Sequence, residues 1–170
     1  MKKVLGLVLS LTIIAGVCAA VLAYVDSVTK RPIAEMKAKA ESEAVKAVLP
    51  AGVEKVEPKG DGFVGKDGSG KIVGYAAKGV DGGGYGGDIV LMVGFREDHR
   101  TVERYRVLSA AETPGLGMKL ATPEFSDQFS GKKGPGLKVR KDGGTIEAIT
   151  SATITSRAVC RAIEDACRKL

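Results

Sequence analysis

Glu147-Ala148-Ile149-Thr150-Ser151-Ala152-Thr153-Ile154-Thr155-Ser156 stands where the chain changes character. Before it lies a glycine-rich sequence of short apolar runs and turns. After it, Val159, Ile163, Ala166 or Cys167, and Leu170 recur at spacings of three and four. That is the single apolar stripe of a helix, predicted from Arg157 to Leu170. The hydroxyl residues therefore sit at a helix start. Thr150 and Ser151 are N-cap candidates, because a side-chain oxygen there accepts free N–H groups of the first turn. The same turn also suits a phosphate, with unpaired N–H groups and a positive dipole end. A threonine hydroxyl at this place can carry a phosphate covalently. From the residues alone, a plain capped helix and a phosphate-bearing one both stay open.

Two stretches upstream bear on the choice. Glu112-Thr113-Pro114-Gly115-Leu116-Gly117 ends a strand-like segment, with proline fixing one turn residue and glycines supplying unusual backbone angles. Gly82 to Gly87 is a glycine-rich loop containing Gly84-Tyr85-Gly86-Gly87. It is neither a dinucleotide fingerprint nor a P-loop, since it lacks Lys-Ser/Thr and a strand follows it instead of a helix. It reads as a tight turn, or as backbone that admits a planar ring closely.

Taken in order, the three stretches resemble the FMN-binding domain family. The covalent flavin-attachment motif of that family, Asp-x-x-(Ser/Thr)-Gly-Ala-Thr, is matched in register by Glu147, Thr150, Ser151, Ala152 and Thr153. Glu147 replaces Asp and Ser151 replaces Gly. The resemblance covers nearly the whole chain. It implies FMN joined through a phosphoester to Thr153. Tyr85, Gly86, Gly87, Glu112, Thr113, Gly115, Leu116, Gly117, Thr150, Ser151 and Ala152 would surround the cofactor, with Leu116 against the ring. Within the family the chain looks most like the G subunits of Rnf-type electron-transport complexes. The C subunits of sodium-translocating NADH:quinone reductases come second, and the short length favours the former. The resemblance implies an electron carrier, not catalytic alone, in a redox-driven translocase linking ferredoxin and NAD to sodium or proton movement. It also implies other membrane subunits as partners and a flavin transferase that installs FMN. A flavin-free binding or structural domain of the same fold is the alternative.

Working outward, the sequence alternates short strands and turns. Lys66-Asp67-Gly68-Ser69-Gly70-Lys71 reads as a hairpin turn leading into a strand from Lys71 to Ala77. Ile89 to Phe95 is a continuous apolar run, a strand buried on both faces. Thr101 to Leu108 alternates Arg104 and Arg106 with Tyr105 and Val107, a strand with one wet face. Thr122-Pro123-Glu124 starts a short helix with Phe125 and Phe129 on its inner face, and Leu137 to Val139 is a short strand candidate. Consecutive short-linked strands with helices before and after predict an α+β fold, an antiparallel sheet flanked by helices.

At the other end, Val4 to Val25 is apolar but for Ser10 and Thr12 and carries no charge. It makes about 33 Å of helix, against a hydrocarbon core of about 30 Å. A transmembrane helix over 4–25 is expected, after a cytoplasmic tail at 1–3. A connector helix follows over 26–50, opened by Pro32 and closed by Pro50, and then the FMN-binding domain over 51–170. A signal peptide cleaved near Cys18-Ala19-Ala20, or lipidation of Cys18, are alternatives, but Leu22 and Val25 continue the apolar run past that point. Lys2 and Lys3 precede the span while Lys30, Arg31, Lys37 and Lys39 follow it, so charge alone does not set the orientation. The resemblance places the domain on the periplasmic, extracytoplasmic side of the cytoplasmic membrane.

Composition removes other classes. Gly is 23 of 170 residues, about twice the usual ~7%, which argues for turns and close backbone approaches and against a helical bundle. The net charge of +6 is spread along the chain with no basic block among aromatics, so no nucleic-acid partner is expected. One histidine, His99, falls in the Glu97–Arg100 turn and is expected to be exposed. No multi-histidine metal site is available, no hydrolase elbow motif occurs, and no metal is expected. Cys160 and Cys167 lie two turns apart on one helix, about 10 Å, which is beyond disulfide reach.

Overall fold

The computed structural model describes residues 2–170. In chain order it holds α1 (Lys2–Val48), β1 (Lys55–Lys59), β2 (Gly62–Lys66), β3 (Ile72–Asp81), β4 (Ile89–Arg96), β5 (Val102–Ser109), α2 (Pro123–Ser126) and α3 (Thr153–Arg168). Short 3-10 turns occupy Gly117–Ala121, Asp127–Phe129 and Arg140–Asp142. The chain divides into two units within α1, one ending at Ala40 and the other running from Glu41 to Leu170.

In the first unit, the apolar side chains between Val4 and Val25 are exposed. Ser10 and Thr12 return their hydroxyls to the carbonyls of Gly6 and Val8, each at 2.9 Å. This back-bonding satisfies a hydroxyl inside an apolar helix without outside partners. The helix is long and apolar enough to cross a membrane. No separate helix opens at Pro32, which lies inside α1. An interior proline loses one hydrogen bond to the carbonyl four residues back, at about 3 kcal/mol. The Ala-, Glu- and Lys-rich sequence that follows has high helix propensity and carries the helix through.

In the second unit the strands run in the order β1-β2-β3-β4-β5, and each neighbour pair is antiparallel. This is the expected α+β architecture. The hairpin turn before β3 is set by Asp67, whose Oδ1 accepts the N–H of Ser69 at 2.9 Å and of Lys71 at 3.0 Å. Strand β3 extends to Asp81, beyond the expected Ala77. Strand β4 is buried on both faces, as its unbroken apolar run requires. Ile89, Leu91, Val93 and Phe95 join the core under α3, with Ala158, Val159, Ala162 and Ile163. Met92 faces the other way, with Ala76, onto Ala44, Val45, Val48 and Leu49 at the end of α1. Phe125 and Phe129 pack edge-to-face at 5.4 Å as core residues.

Two glycines let these layers approach. A Cβ on Gly79 would stand 1.9 Å from the carbonyl oxygen of Ala162 in α3, and one on Gly94 would stand 1.9 Å from that of Val48 in α1. Helix backbone therefore lies directly on strand backbone on both faces of the sheet.

Three local expectations change. Helix α3 starts at Thr153, four residues before the apolar stripe becomes visible. The Leu137–Val139 segment makes only an isolated parallel bridge, Val139 to Ile146. His99 is half-buried instead of exposed, with φ of 58° and its ring stacked on Tyr75 at 3.7 Å, because Asp98 closes the turn by accepting the N–H groups of Arg100 and Thr101.

Gly79→Ala and Gly94→Ala are each expected to cost about 1–3 kcal/mol of unfolding free energy, since a backbone carbonyl, unlike a side chain, cannot rotate away. Denaturant unfolding of the second unit within the full chain measures it. Wild-type stability in both variants would show that the layers do not touch there.

Candidate functional site

The carboxylate of Glu112 is the centre from which the site is assembled. It is only 6% exposed. Thr155, in the first turn of α3, donates its hydroxyl to Oε2 at 2.8 Å. The Gly86 N–H donates to Oε1 at 3.3 Å. A Cβ on Gly117 would come within 2.4 Å of Oε2, and one on Gly84 within 2.8 Å of Oε1. The glycine loop, the Pro-Gly loop and the helix start thus converge on one buried acid. A Cβ on Gly86 would also fall 1.8 Å from the Ala111 carbonyl, so only glycine passes there.

Two turns of the same kind frame the opening. In Thr113-Pro114-Gly115-Leu116, the Leu116 N–H donates to the Thr113 carbonyl at 3.2 Å and Gly115 has φ of 75°. Proline second and a positive-φ residue third are the marks of a type II turn. In Ile149-Thr150-Ser151-Ala152, the Ala152 N–H donates to the Ile149 carbonyl at 2.9 Å, and Ser151 has φ of 60°. This is the same turn with serine in the glycine position.

The hydroxyls of the opening stretch have separate tasks. Ser156 Oγ accepts the Ile149 N–H and donates to the Ala152 carbonyl, both at 2.9 Å, which locks the turn onto the helix. Thr155 is committed to Glu112. Neither Thr150 nor Ser151 caps α3. The N-cap residue is Ala152, and no side chain bonds to that end. The positive φ of Ser151 turns the chain so that the first-turn N–H groups keep no capping partner.

Tyr85, Glu112, Thr113, Leu116, Gly117 and residues 151–155 line one cleft of about 430 Å³, within the range of small-molecule sites. Its rim is apolar and open: Tyr85 is 73% exposed, Ile154 48% and Leu116 42%. Thr153, half-buried, occupies the first position of α3 on the cleft wall. The arrangement offers an uncapped helix end for an anionic group, a hydroxyl beside it, and apolar side chains for a planar ring. A larger groove of about 570 Å³ borders β5, but Glu103, Arg104, Arg106 and Asp127 make it a charged surface without the hydroxyl stretch.

Of the residues expected at the site, Tyr85, Glu112, Thr113, Leu116, Gly117, Ser151, Ala152 and Thr153 meet in this cleft. Gly86, Gly87, Gly115 and Thr150 are not in its lining: Gly86 bonds to Glu112, Gly87 and Gly115 turn their loops at positive φ, and Thr150 is exposed. The Glu147 side chain is exposed and pairs with Arg140 at 3.3 Å. Sequence reasoning missed Ile154 and Thr155. The signal for Thr155 was Glu112 itself, an acid among glycines and apolar residues that needs a donor when buried.

Helix α3 also braces the glycine loop. Arg161 donates two hydrogen bonds at 2.8 Å to Asp81, whose Oδ1 accepts the Gly83 N–H at 2.9 Å. The Arg161 guanidinium holds the Asp81 carboxyl below its usual range, against the opposing effect of burial. The stabilisation is therefore present above the unfolded carboxyl value and is lost as pH falls through the depressed one. Burial pushes the Cys160 thiol up to about 12, so it is an inert core residue.

Ser151→Gly is expected to raise stability by up to about 1 kcal/mol, the cost of a Cβ in the left-handed region less the larger entropy loss of glycine. Thermal unfolding reads it. A loss of stability would show that the Ser151 side chain makes a contact worth more than its strain.

Comparison with known proteins agrees with this geometry. Residues 84–168 match the FMN-binding domain family. The G subunit of an ion-translocating oxidoreductase complex from Methanosarcina acetivorans is 32% identical over 97% of this chain and 93% of its own length. The G subunit of the Na(+)-translocating ferredoxin:NAD(+) oxidoreductase complex from Acetobacterium woodii is 33% identical over 93% of this chain and 87% of its own. The crystal structure of Shewanella oneidensis NqrC is similar in fold, with a TM-score of 0.51 and 24% identity over 66% of this chain and 64% of that one. The hydroxyl stretch, the Pro-Gly turn and the glycine loop from Gly84 onward fall inside the matched segment, and the chain belongs to the FMN-binding domain family.

Proposed function

We propose that this protein is a membrane-anchored, electron-carrying subunit of an Rnf-type ion-translocating complex, with FMN held as a phosphoester on Thr153. One observation carries the reading: Thr153 opens α3 at an uncapped end, on the wall of a cleft with an apolar rim. The relatives that align over nearly its whole length, named as G subunits of ion-translocating oxidoreductase complexes, support the assignment to that complex over the quinone-reductase alternative.

When bound, FMN supplies one- and two-electron transfer, which this chain's own side chains do not. The chain holds and orients. The Thr153 hydroxyl is the attachment point, and the N–H groups of the first turn of α3 stabilise the phosphate charge. Tyr85, Leu116 and Ile154 give the ring apolar contact. The type II turns and the Glu112 clasp keep these groups in register. Nothing in this role calls for a general acid or base. Other membrane subunits of the complex are its partners, and a flavin transferase completes it.

The domain is proposed to lie on the extracytoplasmic side, with α1 as a single-pass anchor. Covalent attachment is useful there, where free FMN is scarce. The apolar, uncharged segment at 4–25 is the feature that supports the anchor.

Intact-mass measurement of the full chain, co-expressed with a flavin transferase, is expected to give the added mass of FMN, absent in Thr153→Ala. An unmodified wild-type mass would sink the flavin-carrier reading, and flavin retained in Thr153→Ala would move the attachment site. For the orientation, Asp61→Cys, at the exposed β1–β2 turn, is expected to react with a membrane-impermeant maleimide in intact cells. Labelling only after lysis would place the domain inside.

A further inference from the structure

Glu112 sits in the lining of the cleft, yet attachment of a phosphate asks nothing of it. A carboxylate is a costly group to bury, and it is kept only where its partners are supplied. Here both oxygens are supplied: Oε2 by the Thr155 hydroxyl at 2.8 Å and Oε1 by the Gly86 N–H at 3.3 Å. The two donors are neutral, and Glu112 is in none of the ion pairs among the described residues. Its charge is therefore hydrogen-bonded but not cancelled. With 6% exposure it is also poorly screened by water. Clasping three segments does not by itself require a charge, since an amide of the same size also bonds to a hydroxyl, though more weakly than a carboxylate does. What the acid adds is a fixed negative potential in the wall of the cleft.

We propose that Glu112 is a positioning and potential-setting residue: its carboxylate makes the cleft resist added electrons and so holds the reduction potential of a flavin bound there low. The inference rests on the flavin reading given above. The physical ground is Coulombic. Adding electrons to a ring next to an uncancelled anion in a medium of low effective dielectric is disfavoured, and charge near the ring is a general lever on flavin electronics. The same geometry makes Thr155 a second control, because its hydroxyl draws charge away from Oε2. Removing that hydroxyl leaves the anion stronger in its effect, whereas removing the charge abolishes it. The two substitutions therefore move the potential in opposite directions, although both loosen the same clasp.

The test is a reductive titration of the full-length flavinylated protein in detergent at about pH 8.5, far above the ordinary carboxylate range. Midpoint potentials are read for wild type, Glu112→Gln and Thr155→Val, with melting temperatures of the unflavinylated forms beside them. The expected result is a more positive potential in Glu112→Gln, a more negative one in Thr155→Val, and a lower melting temperature in both. Unchanged potentials, or shifts of the same sign in both variants, would overturn the proposal and leave Glu112 a structural clasp. If Glu112→Gln cannot be obtained folded and loaded, Thr155→Val decides alone: a downward shift supports the proposal, and no shift or an upward one overturns it. A wild-type protein without covalent flavin is a different outcome, one that removes the flavin reading and the proposal with it.

Discussion

The hydrogen bond from Thr155 to Glu112 is the contact on which the site depends. It joins residues 43 apart in sequence, inside the core, between the first turn of α3 and the end of the strand region. Each neighbour is shaped around it. Gly84, Gly86 and Gly117 lack side chains where a Cβ would meet the carboxylate or the backbone beside it. A buried acid left without its donor costs the full desolvation of that group, about 1–3 kcal/mol or more for a charged one. The three loops are thus coupled: none can move without leaving a charge unsatisfied.

The sheet makes that coupling rigid. A loop cluster at one end of a free sheet would sway with it. Here β4 is covered on both sides, and at Gly79 and Gly94 the covering helices rest on strand backbone. Helix α3 therefore has little freedom to slide, and its first turn presents Thr153 at a fixed place on the cleft wall. Arg161, two turns further along α3, ties the same helix to Asp81 and so to the root of the glycine loop. One helix positions the attachment candidate with its first turn and steadies the opposite wall with its middle.

Much of this was legible in the residues, and the reasons differ from place to place. Strand β4 was plain because burial on both faces removes alternation and leaves a continuous apolar run. The Thr113–Leu116 turn was plain because proline and glycine have few other uses. The start of α3 was misplaced, since Thr153, Thr155 and Ser156 are polar, Ile154 is exposed, and the turn carries no apolar stripe. Thr155 and Ser156 are buried there through specific hydrogen bonds, which periodicity does not register. Pro32 misled for the opposite reason: a strong local signal was outweighed by the helix propensity around it. The Glu112–Thr155 pair was half legible: a buried acid announces that it needs a donor, but nothing local says which distant residue supplies it. Family resemblance supplied the cleft residues apart from Ile154 and Thr155, but it did not separate those that line the cleft from Gly86, Gly87, Gly115 and Thr150, which shape or flank it.

The allocation of hydroxyls gives the strongest physical argument for the attachment proposed at Thr153. Five hydroxyl residues lie between Thr150 and Ser156, and four are unsuited to it for different reasons. Thr155 and Ser156 are buried and spent on Glu112 and the Ile149 N–H. Thr150 is exposed and outside the cleft. Ser151 reaches the cleft, but it precedes the helix at a positive φ that serves the turn. Thr153 alone combines a place in the cleft, partial shelter from water and the first position of an uncapped helix. A capped α3 would have been more stable by about 0.5–2 kcal/mol. Thr150 and Ser151, the two hydroxyl residues placed before the helix, leave it uncapped, and on the proposed reading Thr153, beside that open end, is the residue on which an esterified phosphate gains most from the first-turn N–H groups.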